Sequence, residues 1–396
     1  MQFLVGHRMP GRTNQLQIHN IPDLSGLADA ARSVGILAID TEFLSGKTYY
    51  ARLCLLQAAA GDFAAIIDPF EVADLGPLID VLLDTRIIKI MHAAYQDMEL
   101  LTRLCGQSPA PVFDTQIAAT LAGFPSQIGY ARLLEDLLDV RIDKSESYTD
   151  WSRRPLTAKQ VEYALDDVTY LQPMYEKLCA RLKPDNRLSW LTDDFAALSA
   201  PGAYESVPEE HYKKIKRAST LSRRQLAILR SVAAWRERDA QRRNLPRQWI
   251  LKDESLIEVA RRKPTDVIAL ADIRGIDLRS LGDRGHGLIA AVIEGTTVPD
   301  SDLPQMDRRP QTAVDIEGVV KLMGALVRAR GVTHGIAPSL LASQSDLELL
   351  ASGMEEDNPL LKGWRKSLIG DDLRRLLEGR LVLRVNNGVV IPEELG

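Results

Sequence analysis

A chain of 396 residues with 45% hydrophobic content can bury substantial cores and predicts two or three domains. No apolar run approaches the roughly 20 residues that span a bilayer, and MQFLVGHRMPGRTNQLQI lacks the features of a signal peptide. A cytoplasmic protein without a membrane is therefore expected, with Cys54, Cys105 and Cys179 as reduced thiols. The net charge of −5 hides a basic stretch: His211 to Glu254 carries thirteen Lys/Arg against four Asp/Glu. Such a segment beside acidic domains is compatible with a polyanionic partner.

In chain order, Ile36 to Ile39 followed by Phe43 predicts a strand, Ala51 to Ala59 a second, and Ala64 to Ile67 a third. Leu75 to Leu83 reads as an amphipathic helix and Ile87 to Met91 as a buried strand. A helix follows from about Ala94 to Leu104, and helical periodicity resumes over 115–122, 131–138 and 158–182. Strands first in a meander and then separated by helices imply a mixed sheet with helices on its faces. Pro184, Pro201 and Pro208 mark a connector, and from 218 onward the pattern is entirely helical. That part contains an internal repeat, NLPRQWILKDESLIEVA (244–260) matching GIAPSLLASQSDLELLA (335–351), with the proline-rich stretch 296–312 between the copies.

The chemistry lies in three fragments. Asp40 and Glu42, in ILAIDTEF, are two apart on a strand and leave the same face of the sheet. Tyr163 and Asp167, in EYALDDVTYL, are four apart on a helix and share a face. Asp97, in MHAAYQDMELL, begins a helix just after a buried strand. Taken singly these are an ordinary charged strand end, a surface helix and a first-turn acid. Jointly they describe a cage for hard divalent cations, which prefer carboxylate and water oxygens. Two such ions about 4 Å apart stabilise the attacking and leaving oxygens of an in-line displacement. No His/Cys cluster and no Walker A loop competes.

DTEF, the HxxxxD spacing in MHAAYQD, and YALDD resemble the three motifs of the tyrosine-bearing (DEDDy) branch of the DEDD exonucleases, and within it the ribonuclease D family. RLCLLQ (52–57), FDTQIAA (113–119) and DKSESYTDWSRRPLT (143–157) match in the same places. The helical repeats resemble HRDC domains, which are nucleic-acid-binding or docking modules. The resemblance implies an α/β, RNase H-like nuclease domain over 1–190, a connector over 191–217, and two small all-α domains, HRDC-like over 218–298 and diverged over 299–396. It further implies two Mg²⁺ or Mn²⁺ ions held by Asp40, Glu42, Asp97 and Asp167. Tyr163 would orient the attacking water, and most activation would come from the metal, because a free tyrosine has a pKa near 10. Asp166 adjoins Asp167, but the spacing Tyr-x-x-x-Asp favours Asp167.

Around these, Lys144 would face the terminal nucleotide, or be a solvated loop lysine. His92 is a substrate contact or a satisfied buried histidine, and Phe43 a wedge against the terminal base or a core residue, as is Trp151. Thr41 could offer its backbone to the 3′-terminal ribose. Arg223, Arg224, Arg242 and Arg243 recur at near-helical spacing and could meet phosphates. The resulting expectation is a metal-dependent 3′→5′ exoribonuclease releasing 5′-monophosphates from RNA 3′ ends, with tRNA precursors as substrate and no obligate protein partner. A 3′→5′ DNA exonuclease and a catalytically dead RNA-binding or docking protein are the alternatives.

Overall fold

Alternating and continuous apolar runs become strands wherever turn residues bound them. In the computed structural model, which describes residues 14–18, 21–143, 146, 149–184, 186–306 and 316–395, these strands form one mixed sheet. Its members are β1 (Asn14–Ile18), β2 (Ile36–Leu44), β3 (Arg52–Ala60), β4 (Phe63–Ile67), β5 (Ile88–Met91) and β6 (Val112–Asp114), in the order β1-β4-β3-β2-β5-β6. β2 and β5 run parallel, as do β5 and β6, whereas β3 and β4 are antiparallel. Helices α1 (Ile21–Val34), α2 (Gly76–Leu83), α3 (Tyr95–Cys105), α4 (Thr115–Leu121), α5 (Tyr130–Leu138), α6 (Ala158–Thr169), α7 (Leu171–Leu182) and α8 (Thr192–Leu198) accompany it. Leu37, Ala38 and Ile39 in β2 are fully buried, so the central strand is rigid up to the point where Asp40 begins.

The chain divides into two compact units. One comprises residues 1–42, 53–203 and 312–396, the other 43–52 and 204–311. The second unit contains α9 (Arg223–Arg243), α10 (Arg247–Ile250), α11 (Asp253–Arg262), α12 (Leu278–Leu281) and α13 (Arg284–Thr297). A Ser222/Gln225 capping box starts α9, and Asn244, in the left-handed region at φ 50°, ends it. Tyr212 and Ile215, from the expected connector, are buried in this unit's core beside Leu229 and Val232. Residues 43–52 are held here as well. The Tyr49 hydroxyl donates to Glu237, Arg247 donates to that hydroxyl and lies over the Tyr49 ring at 4.6 Å, and the Tyr50 amide donates to Asn244 at 3.1 Å.

The C-terminal part of the first unit holds α14 (Glu317–His334), α15 (Pro338–Leu341), α16 (Gln344–Ala351), α17 (Gly363–Arg365) and α18 (Asp371–Leu377). Met323, Leu326, Leu341 and Leu360 share a core with Leu121 of α4 and with Leu178 and Leu182 of α7. The repeat seen in sequence recurs in the backbone bonding at the same offset. Leu245 N to Ala240 O, Leu251 N to Arg247 O and Leu256 N to Lys252 O correspond to Ile336 N to Gly331 O, Ala342 N to Pro338 O and Leu347 N to Ser343 O.

The helical periodicity over 158–182 is met by two helices that abut at Tyr170. One expectation is corrected. The region after 218 is not entirely helical: β7 (Leu381–Asn386) and β8 (Val389–Glu394) form an antiparallel hairpin. Asn387 and Gly388 both have positive φ there, the signature of a two-residue hairpin turn that an Asn-Gly pair favours.

Candidate active site

The end of β2 presents Asp40 and Glu42 to one side, and α6 brings Asp167 to meet them. One carboxylate oxygen from each of these three residues lies within 4.8 Å of the others. Asp97, in the first turn of α3, is buried and receives the hydroxyl of Thr41, the residue between the two strand acids. The motif alternation on β2 thus has a purpose on both faces: acids on one, and on the other a buried threonine that fixes the fourth acid.

Gathering these acids is electrostatically costly. Burial first, then the charges of Asp97, Asp167 and Glu42, holds Asp40 well above the usual carboxylate range. Burial, followed by Asp167 and Asp97, lifts Glu42 to about 8. Burial and then the charge of Asp166 lift Asp167 to about 7 against a hydrogen bond from Tyr163. Burial raises Asp97 to about 6 against the Thr41 bond. Oxygen-only donors with surplus negative charge are the set that Mg²⁺ and Mn²⁺ take, and a buried cluster of this kind calls for cationic neutralisation.

Tyr163 stands one helical turn before Asp167 and hydrogen-bonds to it. Its ring is backed by Trp151, with centroids 5.9 Å apart, and Trp151 is 2% exposed, a core residue. The loop carrying Trp151 is fixed by Arg154, which donates to the Trp151 and Cys54 carbonyls, each at 2.8 Å, and to the Asp68 carboxylate. A capping box between Thr157 and Gln160 then sets the first turn of α6.

The motif reading missed two supporting residues. Asp114, at the end of β6, accepts from the Ala93 and Ala94 amides at 3.1 and 2.8 Å and from the Gln116 amide at 2.7 Å. It thereby ties the approach to α3, and so Asp97, to the sheet. The Tyr130 hydroxyl donates to the Asp166 carbonyl at 2.7 Å, anchoring the turn of α6 that bears Asp167. Only the FDTQ fragment offered any sequence signal for the first; nothing in the local pattern singled out Tyr130.

The remaining expected residues fall into place individually. His92 bonds to the Thr115 hydroxyl at 2.9 Å and the Ile128 carbonyl at 3.0 Å, the satisfied-histidine arrangement. Phe43 is half-buried at the end of β2, and Lys144 lies outside the described residues. Arg223 donates to the Leu303 carbonyl, and Arg224 to the Thr296 carbonyl and Asp300, so both fasten the segment after α13. Arg242 and Arg243 pair with Asp239. The carboxylate grouping includes Asp167 and not Asp166. Among the described residues no helix is long and apolar enough to cross a membrane.

Comparison with known proteins shows the family. Residues 18–183 match the 3′-5′ exonuclease family and residues 225–292 the HRDC domain. The chain is 41% identical over 378 residues to the ribonuclease D of Gluconacetobacter diazotrophicus, covering 95% of this chain and 96% of that protein. It is 41% identical over 367 residues to that of Granulibacter bethesdensis, covering 92% and 93%. The crystal structure of Escherichia coli RNase D superposes with a TM-score of 0.81 at 34% identity, covering 93% of this chain and 99% of that one. The chain therefore belongs to the ribonuclease D family of 3′→5′ exoribonucleases.

Proposed function

We propose that this enzyme trims the 3′ trailers of tRNA precursors, releasing 5′-mononucleotides with the aid of two divalent cations. The observation that carries this reading is the convergence of Asp40, Glu42 and Asp167 within 4.8 Å, one helical turn from a tyrosine bonded to Asp167. Escherichia coli RNase D, the structural relative, is described as an exoribonuclease involved in structured RNA processing. Asp40, Glu42 and Asp167 would hold one Mg²⁺ or Mn²⁺, and Asp40 with Asp97 the second. When bound, such ions lower the pKa of a coordinated water and neutralise charge on the attacking and leaving oxygens.

The chain's own residues do the positioning. Tyr163 is fixed by Trp151 and Asp167, so that its hydroxyl can orient the attacking water and accept a hydrogen bond from it. Thr41 keeps Asp97 aimed at the cluster. The segment 299–396 is a second, diverged HRDC-like domain in this reading, supported by the repeated backbone bonding at the offset of the sequence repeat. The first covers about 218–298 after a connector at 191–217, the nuclease domain covers 1–190, and the setting is the cytoplasm. The test is a cleavage ladder on a tRNA precursor with a 3′ extension, in Mg²⁺, in Mn²⁺ and after chelation. Stepwise shortening that halts at the mature end supports the proposal. Equal activity on a DNA strand of the same length would favour the DNA exonuclease, and no cleavage in either ion would leave only RNA binding.

A further inference from the structure

We propose that the first helical domain carries a nucleotide subsite, a cleft between α9 and α13 that takes one unpaired RNA base on Trp235 and its phosphate on Arg242 and Arg238. The cleft is a cavity of about 270 Å³. Ser231, Trp235, Arg238 and Arg242 line one wall, and their spacing of four, three and four residues puts them on a single face of α9. The other wall is α13, where Gly287 and Ala290 keep the surface low and Glu294 adds an acid. Gly287 is required by the indole itself: a Cβ there would sit 2.8 Å from Trp235 Nε1.

Two features argue for a ligand. The Trp235 ring offers a half-buried aromatic platform, on which bases stack whatever their identity. Arg238 and Arg242 have side chains 57% and 71% exposed, which leaves donors for a phosphate beyond their pairs with Glu209 and Asp239. Glu294 can accept from an exocyclic amino group. A helix with side chains is about 10–12 Å across, too large for this cavity, whereas a single planar ring with a phosphate at its rim suits it. At the corresponding positions of the second repeat stand Leu322, Leu326, Ala329 and Thr333, so the aromatic platform and its cations belong to the first copy alone.

This inference rests on the RNA substrate proposed above, and the experiment separates the two. Affinity of the full chain for a short fluorescent single-stranded RNA is measured by anisotropy in chelator, for wild type, Trp235→Ala, Trp235→Phe and Ala290→Gln. Ala290 is exposed on α13, so the glutamine fills the cleft without disturbing the core even if Trp235→Ala fails to fold. The expected result is about tenfold weaker binding for Trp235→Ala and Ala290→Gln, with Trp235→Phe close to wild type, the scale of one base–aromatic stack. An RNA abasic at the stacked nucleotide should weaken wild type and leave Trp235→Ala unaffected. Folded Ala290→Gln that binds RNA as tightly as wild type overturns the subsite and returns the cleft to a protein partner. Wild type that neither binds the oligomer nor shortens it in Mg²⁺ or Mn²⁺ overturns the RNA reading itself.

Discussion

Replacing Glu42 by glutamine removes a charge that the metal-free fold holds at a cost, and the sign and size follow from the site. Burial, Asp167 and Asp97 lift Glu42 from 4.5 to about 8. The folded protein therefore keeps a proton there that the unfolded chain has already released, so metal-free stability falls as pH rises from about 5 to about 8 and levels off above. Asp167, raised to about 7, and Asp97, raised to about 6, act in the same direction. The full displacement of Glu42 corresponds to about 5 kcal/mol at about 1.36 kcal/mol per pH unit. Neighbouring acids share the protons, so the variant should recover roughly half of this, about 2–3 kcal/mol at pH 8. At about pH 5 Glu42 is already protonated and the gain should vanish. Thermal melts of chelator-treated protein at both pH values read this directly, as a rise of about 5 °C at pH 8 at about 2 °C per kcal/mol. Saturating Mg²⁺ or Mn²⁺ should reverse the order, because the variant lacks one of the proposed ligands. A gain equal at both pH values, or absent at pH 8, would refute the electrostatic account of the site.

Asp40→Ala should lower cleavage by roughly a thousandfold or more, the loss of several kcal/mol of charge stabilisation, while RNA affinity in chelator persists. Tyr163→Phe should be milder, about 10- to 100-fold in kcat with KM little changed, since it removes one positioned hydroxyl. Tyr130→Phe deletes the bond to the Asp166 carbonyl, for a loss of about 1 kcal/mol in denaturant titration. Its kcat should fall with it, because the turn of α6 bearing Asp167 loses its anchor. Arg154→Met strips a nearly buried Asp68 of its partner and frees the Trp151 loop, which should cost about 3–5 kcal/mol. Wild-type melting by this variant would show that the loop is held by something else.

What sequence made legible was residue type at fixed local spacing. Asp40 and Glu42 could be put on one face of a strand, and Tyr163 and Asp167 on one face of a helix, because periods of 2 and 3.6 are properties of the backbone alone. The supports of the site were not legible because they act across the fold. Asp114 and Tyr130 matter through bonds to backbone groups 20 and 36 residues away in sequence, and no local pattern encodes those pairings. The same holds for the side-chain bond of Thr41 to Asp97, 56 residues on. The hairpin at 381–394 escaped because a short amphipathic run after a long helical stretch can be read either way, and only the Asn387-Gly388 pair argued for a turn.

The basic stretch from 211 to 254 shows why counting charges and counting contacts are different operations. Several of its arginines are committed within the fold: Arg236 bonds to Asp253 and the Leu251 carbonyl, Arg247 to Glu237, and Arg224 to carbonyls beyond α13. A bond to a carbonyl leaves the cation's charge in place, and Glu237, Asp239 and Asp253 already enter the surplus of thirteen basic against four acidic residues. The long-range field that draws a polyanion therefore survives, and its contribution should fade as salt rises. Direct contact needs guanidinium groups with donors to spare, and exposure selects for those. Arg238 and Arg242 meet that condition beside an aromatic ring, whereas Arg224 is partly buried and bonded to the Thr296 carbonyl and Asp300. Attraction is thus a property of the whole basic segment, whereas recognition, on the subsite proposed above, narrows to the one face of α9 where charge and ring coincide.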